Sequence, residues 1–235
     1  MTDPQPAPQH TGFTMDRART YDARVRQHIP GYEILHRLTE IIFANELPND
    51  ASILAVGAGT GTEIVGWGEK HPEWRFMGTD TAEAMLMLAQ EKIAAAQMTS
   101  RARLHTGDVD ALPPETFDAA TLLLVLHFVP EDQQAAFIAT LADRLNPGAP
   151  FLLANLFGDP ESTRFKRLNA ARKAWAIAQG LDPQMAEQFC DPARPDMHIV
   201  SEERLKILLR EAGFIDIQRV YQALTVGLWL ARLPR

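Results

Sequence analysis

A chain of 235 residues with 46% hydrophobic content can bury the core of one large α/β domain, and its formal net charge of −7 gives it no drive toward polyphosphate partners such as nucleic acid. A single cysteine, Cys190, permits neither an internal disulfide nor a cysteine cluster for zinc, so no metal site is expected. No run of about 18 apolar residues is present to span a membrane, and no apolar signal segment opens the chain, so a cytoplasmic protein with no membrane partner is expected.

Residues 1–14 are polar and carry prolines, which predicts a loose, disordered tail ahead of one domain spanning 15–235. Asp16 to His28 reads as a short amphipathic helix broken by Pro30-Gly31, and Tyr32 to Asn45 as a second helix with Ile34, Leu35, Leu38, Ile41 and Ile42 at helical spacing. Beyond Ser52 the pattern alternates. Strand, helix Glu63 to Lys70, strand Arg75 to Thr79, helix Ala82 to Gln97 and strand Arg103 to Thr106 come first. Strand Ala119 to Leu126, helix Glu131 to Leu145 and strand Phe151 to Leu156 continue the alternation. Such a rhythm predicts right-handed crossovers and a mostly parallel sheet with helices on both faces. Residues 158–200 break the rhythm with two helices and a proline-rich connection, and read as an inserted helical cap. A helix from Ser201 to Ala212 ends at Gly213, and strands Ile215 to Tyr221 and Leu224 to Ala231 predict a closing antiparallel hairpin.

The stretch Ser52 to Thr62 organises the rest: an apolar run breaks into Gly57-Ala58-Gly59-Thr60-Gly61 and then a helix start. Glycines here permit positive φ and let a ligand lie against backbone N–H groups. Thr62 stands where the dinucleotide fingerprint wants a third glycine, which argues against a nicotinamide dehydrogenase. Asp80 ends the second strand, where a carboxylate accepts hydrogen bonds from both ribose hydroxyls of an adenosine; alternatively it caps the next helix in a capping box with Glu83. Asp108, after Gly107, suits an adenine amino group, or is an ordinary loop aspartate.

Taken together, the chain resembles the class I S-adenosylmethionine-dependent methyltransferases. The resemblance rests on the Gly57 turn; Asp80 with Met85-Leu86; Gly107-Asp108 with Leu112-Pro113; Phe117-Asp118 leading to Leu126-His127; and Leu145-Asn146-Pro147-Gly148. It covers about Tyr21 to Leu230, and Ala212-Gly213-Phe214 with the hairpin looks like the family's reversed last strand. It implies a Rossmann-like sheet of seven strands and S-adenosyl-L-methionine as cofactor. By resemblance, Gly57, Ala58 and Gly59 touch the methionine part, Asp80 with Thr81 the ribose, and Met85 the adenine face. Asp108 and Val109 hold the adenine edge, and Leu124 and Val125 line the path to the methyl group. Two positions depart from the family: Ala55 replaces an acidic residue that usually anchors the methionine amino group, and Ala82 a common serine. The N-terminal segment, 15–45, resembles the lid of carboxy-S-adenosylmethionine synthases, which implies Tyr21 and Arg26 at the methionine end. The other reading makes Tyr21 a packed aromatic on a solvated helix.

Methyl transfer from a sulfonium needs alignment and dryness more than acid–base chemistry. His127, just past the fourth strand, is the candidate base, since an ordinary imidazole titrates near neutrality; a packing role is the alternative. The cap and lid are expected to choose a small-molecule acceptor, with Arg164, Lys166, Arg167, Arg172 and Lys173 either recognising an anion or forming a solvated helix face. The expected assembly is a monomer or homodimer. A non-catalytic S-adenosylmethionine-binding regulator remains the rival from another class, favoured by Ala55.

Overall fold

The computed structural model describes residues 14–235; the predicted tail therefore lies outside the described residues except for Thr14. Helices α1 (Met15–His28) and α2 (Tyr32–Glu46) come first. They are followed by β1 (Ser52–Val56), α3 (Thr62–Gly68), β2 (Arg75–Asp80), α4 (Glu83–Ala95) and β3 (Ala102–Thr106). Next come β4 (Ala119–Leu123), α5 (Gln134–Ala142), β5 (Pro150–Leu156), α6 (Thr163–Ala178) and α7 (Pro183–Cys190). The chain closes with α8 (Glu202–Glu211) and the hairpin of β6 (Ile215–Ala223) and β7 (Val226–Arg232).

The seven strands form one sheet in the order β3-β2-β1-β4-β5-β7-β6. The first five pair in parallel, and β7 runs antiparallel to both its neighbours. Strand alternation explains how helices come to cover both faces. Along β1, Ile53 and Ala55 join the core that holds Phe43, Ile64, Trp67 and Ile93, from α2, α3 and α4. Leu54 and Val56 point the other way, into the core of Ile138, Leu141, Leu205 and Leu208, from α5 and α8. The strand order, not the strand direction, reverses between β1 and β4, so their carboxyl ends open the crevice where ligands bind such sheets.

Among the boundaries that differ from the sequence expectation, three have a clear physical reason. The apolar run of β4 continues to Leu126, but the strand stops at Leu123 because Leu124 turns to φ 64°. Leu124 still donates its N–H to Ala154 O at 2.7 Å, and a short 3-10 turn over Leu126–Phe128 follows. Helix α5 starts at Gln134 rather than Glu131, and the buried Gln134 amide donates to Val129 O and His198 O at 3.1 and 3.2 Å, clamping that turn. The closing hairpin turns at Leu224-Thr225 without a glycine, Leu224 taking φ 55°. Thr225 is buried and its carbonyl accepts from the Phe157 N–H at 2.9 Å, so tertiary packing holds a turn that local chemistry does not favour.

Two helices occupy the predicted insertion between β5 and α8. Ser162 caps α6 by accepting from Phe165 N, while Asp182 caps α7 with Pro183 in its first turn. Helix α1 leans on this pair: His28 stacks on Phe189 at 4.7 Å between ring centroids, and Gln27 donates to Gln179 O at 3.3 Å.

Candidate functional site

The Gly57–Gly61 turn leaves β1 at the crevice. Gly57 has φ +70°, and a Cβ there would lie 2.2 Å from Val125 Cγ2, so neither the backbone nor the neighbour admits a side chain. Gly61, at φ +73°, meets Ala89 of α4 at 3.0 Å in the same way, which brings α4 tight against the turn. Asp80 ties this turn to the next one. Its Oδ2 accepts from Gly59 N and its Oδ1 from Ala82 N, both at 2.9 Å. A carboxylate offers about four acceptor positions, so one side chain can hold both turns at once. The capping-box alternative does not form as such, since Ala82 is the N-cap of α4 and makes no side-chain cap bond.

Around this frame the other expected residues fall as follows. Thr81 is exposed in the bend after Asp80. Met85 is buried, beside Gly59, and packs with Ala82 and with Ala18 of α1. Asp108 is exposed at the head of a single 3-10 turn, Val109–Ala111. Val109 commits its side chain to the core with Leu54 and Met77, which leaves only its backbone for an adenine edge. Leu124, in its left-handed conformation, reaches a small cavity that also contacts Ala58 and Gly59.

That cavity, of about 20 Å³, lies between the turn and the first two helices. Tyr21, Tyr32 and His36 form one side, and Glu63 enters from the first turn of α3. Arg26, expected at the same end, stands outside: it is exposed, pairs with Glu33 at 2.9 Å and lies 5.5 Å from the centroid of the Tyr32 ring. Helical geometry explains the split, because five positions turn Arg26 well away from Tyr21. Asp22, not singled out in the sequence, fastens α1 instead. Its Oδ1 accepts from Thr60 Oγ1 at 2.5 Å, its Oδ2 pairs with Lys92, and Lys92 also donates to Thr60 at 2.9 Å.

His127 lies buried after β4. Its backbone N–H donates to Asn155 Oδ1 at 3.1 Å, and its Nδ1 lies 2.6 Å from the same oxygen. Because the backbone N–H can only donate, that atom must be the acceptor, so Nδ1 carries the proton and Nε2 keeps the lone pair. The expectation of an ordinary imidazole is corrected: burial pushes His127 down to about 4. The Asn155 bond opposes that shift, while Arg172, Arg194 and His28 add to it.

Arg172, on α6, is the buried cation of this region, only 1% exposed. Its Nε and Nη2 donate to Asn169 Oδ1 at 3.2 and 3.0 Å, while Nη1 is buried without a partner. Arg194 is paired with Asp196. Lys166 and Lys173, by contrast, pair with Glu161 and Glu187. Of the basic run seen in the sequence, Arg172 is the one turned inward.

Glu63, Asp22 and the burial of Arg172 are what sequence reasoning missed. For Glu63 the signal was an acidic residue in an otherwise apolar helix start directly after the glycine turn.

Residues 53–148 match a family model described as a methyltransferase domain. The carboxy-S-adenosyl-L-methionine synthase of Campylobacter hominis is 22% identical over 222 residues, covering 94% of this chain and 93% of that protein. The 3-hydroxy-5-methyl-1-naphthoate 3-O-methyltransferase of Streptomyces sahachiroi is 32% identical over 112 residues, 47% of this chain and 32% of that one. Among solved structures, the apo form of the S-adenosylmethionine-dependent methyltransferase SibL superposes with a TM-score of 0.63 at 22% identity. That alignment covers 87% of this chain and 57% of the other, so the chain spans little more than half the length of that structure. Among the described residues, no helix is long and apolar enough to cross a membrane. Residues 53–148 thus match a methyltransferase domain, and the chain shares the fold of S-adenosylmethionine-dependent methyltransferases.

Proposed function

We propose that the protein methylates a small acceptor bearing a negative charge, seated between His127 and the α6–α7 pair. The observation that carries this reading is Arg172, a buried guanidinium with an unpartnered Nη1 and, among the described residues, no carboxylate ion pair. A buried charge without a counter-ion costs several kcal/mol, roughly, so it persists where a ligand supplies the missing anion. Arg172 and Arg194 both act electrostatically on His127, which follows the strand whose end faces the crevice. A carboxylate recognised by Arg172 would therefore sit near that imidazole.

S-adenosylmethionine, when bound, supplies a methyl group already activated by its sulfonium. The residues present fit such a ligand: a turn that tolerates no Cβ at Gly57, and the buried His36 Nδ1 without a partner on the cavity wall. Asp80 would hold the ribose, Met85 the adenine face, and Asp108 the adenine edge. Tyr21 closes the methionine end from α1, and the Asp22–Lys92–Thr60 clasp keeps α1 down to exclude water. His127 Nε2 would take the acceptor's proton, with Asn155 fixing its tautomer. An anion beside Arg172 and Arg194 offsets their share of the depression of His127, which burial leads, and so raises the imidazole toward the pH at which a base works best. A second reading, carboxy-S-adenosylmethionine synthesis, is favoured by the relative from Campylobacter hominis that matches nearly end to end.

The test uses methyl-labelled S-adenosylmethionine and pairs of acceptors that differ only in a carboxylate against its primary amide. The carboxylate member should show the lower KM, and Arg172→Gln should erase the difference. Equal KM values for both members in the wild-type protein would overturn the anionic acceptor.

A further inference from the structure

Ala55 is fully buried, so β1 offers no acid to the amino group of a bound methionine moiety. Glu63 stands in the first turn of α3, the helix whose Ile64 shares a core with Ala55. It thus approaches from the face of the sheet on which an acid at Ala55 would stand. Glu63 is only 6% exposed, and it lines the cavity between the glycine turn and α1. Its carboxyl takes a hydrogen bond from its own backbone N–H, and among the described residues no cation forms an ion pair with it. Lys92, which acts on it electrostatically, is committed to Asp22. Across the cavity, His36 keeps its buried Nδ1 without a partner. A cavity of about 20 Å³ holds one water-sized group, which is the size of an ammonium.

We propose that Glu63 replaces the acid missing at Ala55 and binds the α-ammonium of the methionine part of the cofactor. This inference rests on the cofactor reading above. The cost of the arrangement shows in the carboxyl itself: desolvation, with Asp80 and Asp22 nearby, pushes Glu63 up to about 8. At neutral pH the carboxyl is therefore protonated before binding. When an ammonium enters, Glu63 releases its proton to solvent, and the carboxylate pairs with the ammonium, which keeps its own three protons. Charge is conserved across the step, one proton leaving for one ion pair made.

The experiment is titration calorimetry of the full chain with S-adenosylhomocysteine and with 5′-methylthioadenosine, which keeps the nucleoside and thioether but lacks the amino acid. Each is run at pH 7 in two buffers of different ionisation enthalpy. Wild-type protein should release close to one proton on binding S-adenosylhomocysteine and none on binding 5′-methylthioadenosine. Glu63→Gln should weaken S-adenosylhomocysteine by about tenfold or more, as expected for a charged hydrogen bond, and leave 5′-methylthioadenosine unchanged. Without ligand, the same variant should melt at a higher temperature than wild type at pH 8, because it removes a buried acid whose ionisation opposes folding. S-adenosylhomocysteine binding without proton release, or within twofold of wild type in Glu63→Gln, overturns the role of Glu63 and leaves the cofactor reading standing. Wild-type protein that binds neither compound overturns both. The proton count needs no variant, so it decides the matter even if Glu63→Gln does not fold.

Discussion

Removing the Asp22 side chain should free α1 selectively. In Asp22→Ala, Thr60 Oγ1 loses a 2.5 Å bond to a carboxylate and Lys92 loses its ion pair. A hydrogen bond to a charged group contributes about 1.5–3 kcal/mol. The Lys92 pair has side chains 36% and 31% exposed, so screening limits it to about 1 kcal/mol. Together these give about 3 kcal/mol, or roughly a hundredfold in the local opening equilibrium. Hydrogen exchange should therefore accelerate by about that factor across Met15–His28 and stay unchanged in β1 and β4. A double-mutant cycle with Lys92→Met should return a coupling of about 1 kcal/mol. The pH dependence follows from the same contacts. Burial raises Asp22, but the bonds from Lys92 and Thr60 outweigh it and hold the carboxyl below its usual value. The clasp's contribution is then complete above about pH 4 and is lost only as pH falls further. Unchanged exchange in α1, or acceleration spread evenly over the sheet, would refute this account of what fastens the helix.

Two further outcomes follow from the geometry. Gly57→Ala should lower stability by about 3 kcal/mol, from a strained positive φ and a Cβ pressed on Val125, with Val125→Ala recovering part of the loss in urea denaturation; an unchanged midpoint would contradict the packing. Stability should also peak near pH 6.5. Burial pushes His28, His36 and His127 each down to about 4, so the unfolded chain binds more protons between about pH 4 and 6.5 and stability rises with pH there. Glu63, raised to about 8, works in the opposite sense from its unfolded value upward, but one acid against three histidines prevails only above about pH 6.5. A flat profile between pH 4 and 8 in urea midpoints would contradict these buried states.

Much of the sheet was legible because local and global signals agreed. In β1, a β-branched apolar run bounded by glycine can only be a strand buried on both faces, and Ile53 and Leu54 do point into separate cores. The end of β4 was not legible, since Leu123 to Leu126 is uniformly apolar and only the backbone bond from Leu124 to Ala154 marks the turn. Asp80 was legible as the acid at a strand end, but its bonds to Gly59 and Ala82 are tertiary. Arg172 was hidden among other bases on α6, because charges on every side of a helix give no apolar stripe from which to read its buried face. The neutrality of His127 was equally out of reach, since it depends on burial and on Arg172 and Arg194, from a segment distant in sequence.

The central claim is transfer of the cofactor's methyl group to a small acceptor. Its most direct test incubates the full chain with S-adenosylmethionine and a pool of small carboxylates, then follows the cofactor and the pool by mass spectrometry. The account predicts S-adenosylhomocysteine in step with one acidic compound heavier by a single methyl group. S-adenosylmethionine recovered bound but unchanged, or converted to a form carrying an added carboxyl group, would contradict it.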